Sequence, residues 1–167
     1  MQLNALKKIA KALQNAKVEY LLVGGLAVVA HGYGRMTHDI DLVVNFSPKH
    51  LLNAFYALGE LGYRPRVPIT AEQFANPELR TRWITEKGMM VLNLTSDLMP
   101  HSPIDLFVKE PFLFDEAYKS AIVETFEPDI EFRYVDIDTL ISMKKEAGRP
   151  KDLDDIFHLE KLRIEKA

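Results

Sequence analysis

The sequence predicts a single α+β domain over residues 1–167, a mixed β-sheet flanked by helices and closed by two C-terminal helices. Three observations carry that expectation. Leu3, Leu6, Ile9, Ala10 and Leu13 recur at helical spacing, and the segments "DIDTLISMKKEA" and "KDLDDIFHLEKLRIEKA" read the same way. Between them lie short runs rich in β-branched and aromatic residues, bounded by Gly, Pro, Asn and Ser. Internal repeats, low-complexity tracts and linkers are absent from the sequence.

The elements follow in order. An amphipathic helix through Leu13 leads to the strand "VEYLLV", broken by Gly24 and Gly25. "LAVVAHG" is a short helix and "HDIDLVV" the next strand. Ser47 and Pro48 suit the N-cap and first turn of a helix that runs to about Leu61 and stops at Gly62. Residues 63–77, punctuated by prolines, read as irregular. "TRWITE", "MMVLNL" and "PIDLFV" read as three strands, the last two joined by "TSDLMPHS". "FLFDEAYKS" is a short helix and "IEFRYV" a strand or edge strand. A helix closed by Gly148 and another opened by Pro150 complete the chain.

Composition narrows the function classes. With 47% hydrophobic residues the chain has enough apolar surface for a core of its own. A formal charge of −3 gives no global attraction for nucleic acid or membrane, so an anionic partner needs a local cluster of cations. Cysteine is absent, which removes thiolate chemistry and leaves carboxylates and histidines as metal ligands. The longest apolar run, Tyr20 to Ala30, is far short of the roughly 20 residues of a membrane span, and "MQLNALKKIAKAL" lacks a signal-peptide core. The expectation is a soluble cytoplasmic protein without membrane contact.

The chemistry concentrates in "YLLVGGLAVVAHGYGRMTHDIDLVV". Alternation along a strand puts Asp39 and Asp41 on one face, with Ile40 and Leu42 directed into the core. Two close carboxylates repel unless a cation lies between them, and hard divalent ions such as Mg2+ or Mn2+ take such oxygen ligands. Asp105, in "SPIDLFV", repeats the pattern of an acid between apolar residues on another strand. If the strands are neighbours, three carboxylates converge; taken singly, each reads as a strand-end acid facing water. Gly24 and Gly25 end a strand and open a helix, where backbone N–H groups can meet phosphate oxygens; alternatively they only permit a tight turn.

The stretch "LLVGGLAVVAHGYGRMTHDIDLVV" resembles the signature of the polymerase-β-type nucleotidyltransferase superfamily. The segment "LISMKKEAGRPKDLDDIFHLEKL" is similar to the end of small prokaryotic members related to the AbiEii toxins of toxin-antitoxin systems. The resemblance implies a nucleotidyltransferase-like fold and a metal-dependent nucleotidyltransferase using an NTP substrate. It places Gly24 and Gly25 at the nucleotide-phosphate turn, Asp39 and Asp41 as the metal pair, Asp105 as third carboxylate and Lys144 as the phosphate-contact lysine. The acceptor is open among RNA, protein and small molecules, as are a partner protein and a homo-oligomer. A non-catalytic binding module on the same fold is the rival reading, and a D-x-D glycosyltransferase is disfavoured by the short chain.

Other residues read less sharply. Arg35 could fork onto a β- or γ-phosphate or be a solvated loop charge. Thr37 reads as a loop-orienting residue, and His31 and His38 as core or surface residues, since neither has zinc-motif spacing. Arg149 and Lys151 could join Lys144 at a triphosphate or face solvent, while Asp152 and Asp155 read as complementing a helix dipole. Arg64, Arg66, Arg80 and Arg82, interleaved with Tyr63, Phe74 and Trp83, read as ordinary surface that could also receive an RNA or protein.

Overall fold

A computed structural model describes residues 2–167. Seven strands occupy Tyr20–Val23 (β1), Ile40–Val44 (β2), Tyr63–Pro65 (β3), Val91–Ser96 (β4), Ile104–Phe107 (β5), Ile122–Glu127 (β6) and Ile130–Tyr134 (β7). Helices occupy Leu3–Asn15 (α1), Gly24–Ala30 (α2), Pro48–Glu60 (α3), Ala71–Ala75 (α4), Pro77–Lys87 (α5), Phe114–Lys119 (α6), Ile137–Ala147 (α7) and Pro150–Glu165 (α8). The strands form one sheet in the order β3-β4-β5-β2-β1-β7-β6. It is mixed: β2 runs parallel to β5 and β1 to β7, and the other pairs are antiparallel.

Strand alternation builds the core. Leu22, Ile40, Leu42, Leu92, Ile104 and Leu106 are all buried, and α1 adds Leu6, Ile9, Ala10 and Leu13 at the spacing read from the sequence. Helices α7 and α8 pack on each other, and α7 also meets α2. Gly148 closes α7 in a left-handed conformation with φ +62°, and Pro150 opens α8. Among the described residues no helix is long and apolar enough to cross a membrane.

Four expectations are corrected. "TRWITE" is helical: Asn76 caps α5 by accepting from the N–H groups of Glu78 and Leu79, Pro77 fills the first turn, and Gly88 ends it at φ +61°. The β-branched threonines that suggested a strand fit the helix because Thr81 and Thr85 donate back to the carbonyls of Pro77 and Thr81, each at 3.0 Å. Residues 63–77 are ordered, not irregular, holding β3 and then α4, whose capping box joins Thr70 and Gln73. The edge strands are β3 and β6, so β7 is a strand inside the sheet; β6 was missed because all six residues are exposed and no buried face marks it. Finally, Asp39 lies in the bend just before β2 and is exposed, so only Asp41 of the pair is within the strand.

Candidate active site

A row of polar side chains crosses three adjacent strands. Asp41 on β2 stands opposite Asp105 on β5, and Asp105 stands opposite Asn93 on β4. Their neighbours along the strands, Ile40, Leu42, Ile104, Leu106, Leu92 and Leu94, turn the other way and are buried, which fixes the polar face. Asn93 Nδ2 donates to Asp105 Oδ1 at 2.7 Å. Asn93 Oδ1 is buried without a partner, a condition that costs about 1–3 kcal/mol. Sequence reading missed Asn93, because a lone Asn in "MMVLNL" carries no motif.

The glycine pair makes room for the acid. Gly24 has φ +63°, and a Cβ there would overlap the Asp41 carboxylate. The Gly25 N–H donates to that carboxylate. A Cβ on Gly25 would overlap Thr37 Oγ1 and come within 3.3 Å of Arg35 Nη1. The pair thus does more than turn the chain: the side chains of Asp41, Thr37 and Arg35 pack directly on it. Burial, with the negative charges of Asp105 and Asp39, pushes the Asp41 carboxyl up to about 6, against the opposing pull of Lys144 and the Gly25 N–H.

Lys144 is part of a buried ionic network. Only 5% exposed, it pairs with Asp155 at 2.8 Å and Asp152 at 3.3 Å. Arg149 Nε donates to Asp152 at 2.7 Å. Arg35 Nε and Nη2 fork onto Asp155 at 2.7 and 2.9 Å, while Nη1 donates to the Met36 carbonyl at 2.8 Å. Arg35 is therefore not a solvated loop charge, and Asp152 and Asp155 are buried ion-pair partners rather than surface acids complementing a dipole. Burial opposes ionisation of both acids, yet the hydrogen bonds from Arg149, Arg35 and Lys144 outweigh it and hold their carboxyls below the usual range. The spacing Lys144, Asp152, Asp155 was visible in the sequence; its convergence needed the α7–α8 hairpin to be known.

The remaining residues sort plainly. His31 is buried and its Nε2 lies 2.8 Å from the Val135 carbonyl, a core role; His38 is exposed. Thr37 Oγ1 donates to the Asp39 carbonyl at 3.4 Å, orienting the loop. Lys151 is exposed. Arg80 is buried against the rings of Phe46 and Phe74 and donates to the Phe74 carbonyl, so it belongs to the interior and not to a basic surface.

The donor chemistry of Asp39, Asp41 and Asp105 suits a hard divalent cation, because all three offer carboxylate oxygens and Asp41 is crowded by like charge. As placed, no three His, Asp or Glu among the described residues come together closely enough to enclose an ion. Asp41 and Asp105 face each other across β2 and β5, while Asp39 lies exposed in the bend before β2.

No protein-family model matches the chain, and no curated protein matches it. Among solved structures it is similar to the crystal structure of the lincosamide antibiotic adenylyltransferase LnuA, lincomycin-bound. The TM-score is 0.59 at 16% identity, covering 97% of this chain and 98% of that one. This likeness establishes a nucleotidyltransferase-like fold, in agreement with the mixed sheet and the two C-terminal helices.

Proposed function

We propose that the chain is a metal-dependent nucleotidyltransferase, moving an NMP group from an NTP to an acceptor hydroxyl with release of pyrophosphate. The observation that carries this reading is the Asp41–Asp105 pair on adjacent parallel strands, seated against the Gly24–Gly25 turn. Support comes from the fold shared with an adenylyltransferase and from the D-x-D motif that adds Asp39 beside Asp41, with Asp105 as the third carboxylate.

In this reading Asp39, Asp41 and Asp105 hold Mg2+ or Mn2+. When bound, such ions activate the attacking oxygen and neutralise the leaving one. Asp105 faces the acceptor and takes the proton of its hydroxyl. The glycine turn and Lys144 serve the triphosphate, and Arg35, held by Asp155, shapes the loop beside it. The acceptor is an RNA, a protein or a small hydroxylated molecule; lincomycin in LnuA gives the last class its support. The AbiEii-related, toxin-antitoxin branch rests on the "AGRPKD" turn and its lysine.

The test is to incubate the protein with each labelled NTP, Mg2+ or Mn2+, and cell extract fractionated into RNA, protein and small molecules. Label in one fraction identifies the acceptor. One observation favours the rival, a nucleotide- or partner-binding module without catalysis, in its partner-binding form: Lys144 and Arg35, the candidate phosphate cations, are both engaged by aspartates of α8. Absence of both Mg-NTP binding and transfer to any fraction would establish that form, and tight Mg-NTP binding without transfer the nucleotide-binding one.

A further inference from the structure

We propose that Asn93 is a positioning residue for Asp105, anchoring one oxygen of that carboxylate from the β4 side at the expense of its own unpartnered carbonyl. The inference rests on the reading of the acids as the metal and acceptor site.

The Asn93 Nδ2 to Asp105 Oδ1 distance of 2.7 Å is at the short end for N–H···O bonds, as expected of a donor facing a charged acceptor. On its other side Asp105 faces Asp41, which when ionised has no proton to donate and repels it. Because β5 lies between β4 and β2, the Asn93 bond and the repulsion from Asp41 act in the same direction, and together they fix Oδ1 of Asp105 on the β4 side. The same amide leaves Oδ1 buried and unpaired. Rotating the amide by half a turn would set its oxygen against the Asp105 carboxylate and strand the NH2 group instead, so neither orientation satisfies both ends. A residue kept only for packing would not carry this defect. Its neighbours on the same strand face, Val91 and Thr95, show that β-branched side chains fit there.

Asn93→Leu, of similar volume, removes both the donor and the orphaned carbonyl. Its thermal stability is expected to change little, since removing the orphaned carbonyl offsets the donor that Asp105 loses. Mn2+ affinity, followed by electron paramagnetic resonance with a non-hydrolysable NTP analogue, is expected to fall about tenfold, the effect typical of losing a residue that orients a ligand. Transfer kcat should fall about 10- to 100-fold with KM for NTP within about threefold. In an Asp105→Asn background the substitution should add nothing, because its effect passes through that carboxylate. Asn93→Val, which has no donor and matches the β-branched Val91 on the same strand face, is expected to behave alike and serves if the Leu variant does not fold.

Wild-type Mn2+ affinity and kcat in a folded variant would overturn the inference. So would a loss fully additive with Asp105→Asn. Absence of Mn2+ binding by wild type itself would refute the underlying site reading, and this inference with it, and is distinguished by the wild-type arm alone.

Discussion

Arg35 and Asp155 are joined by a two-pronged contact, with Nε and Nη2 of the guanidinium at 2.7 and 2.9 Å from the two carboxylate oxygens. The pair fastens the loop entering Asp39 and Asp41 to the last helix. Tyr33 adds to it, donating to Asp154 at 2.8 Å and stacking on His158 at 3.8 Å between ring centres. Helix α8 thereby supports the acids from a position far along the chain.

Asp155→Ala should expose how much the site depends on that contact. It leaves Arg35 without its fork and Lys144 with Asp152 alone, and removing one partner of a buried ion pair costs about 3–5 kcal/mol. Denaturant unfolding should show a loss in that range. A loss below about 1 kcal/mol would mean that solvent reaches the network and screens it.

Gly24→Ala tests the seating of Asp41, with Gly88→Ala as control. The two glycines have nearly the same φ, +63° and +61°, but a Cβ at Gly88 meets nothing within 4 Å whereas one at Gly24 overlaps the Asp41 carboxylate. Both variants lose about 1–2 kcal/mol to left-handed backbone strain. Gly24→Ala should lose at least about 1 kcal/mol more from overpacking, and lose Mg-NTP binding as well. Equal losses would show that the Asp41 carboxylate moves aside freely.

Much of this arrangement was legible in the sequence, and the omissions share a cause. The order strand, Gly-Gly, short helix, D-x-D and the acid-between-apolar context of Asp105 depend on local alternation, which a strand with one buried face displays openly. Helix α5 failed because Thr81, Trp83, Ile84 and Thr85 favour strands, while the deciding signals, Asn76-Pro77 and Gly88, lie outside that window. Asp152 and Asp155 occupy the first turns of α8, where acids ordinarily complement the dipole; their burial arises from Lys144 on the preceding helix. Asn93 acquires meaning only from the β4–β5 register, a non-local pairing.

Stability should depend on pH through Asp41. Its carboxyl is raised from 3.8 to about 6 by burial first, then by Asp105 and Asp39. Between those values the native chain holds a proton that the unfolded chain releases, so this group stabilises the fold below about pH 4 and its contribution is lost as pH rises to about 6. At about 1.4 kcal/mol per unit, Asp41→Asn in metal-free buffer should be more stable than wild type by up to about 3 kcal/mol at pH 8, with the gain gone near pH 4. Equal pH profiles for the two proteins would show that Asp41 titrates as an ordinary carboxyl.

The most direct measurement follows the phosphorus. Wild type and Asp41→Asn, each shown to be folded, are incubated with Mg2+, the responsive acceptor fraction, and NTP labelled at either the α- or the γ-phosphorus. Nucleotidyl transfer requires label from the α position to enter the acceptor and label from the γ position to leave as pyrophosphate, with Asp41→Asn slower by orders of magnitude because its amide cannot balance the cation. Label entering the acceptor from the γ position, or α-label transferred by Asp41→Asn at the wild-type rate, would contradict the assignment.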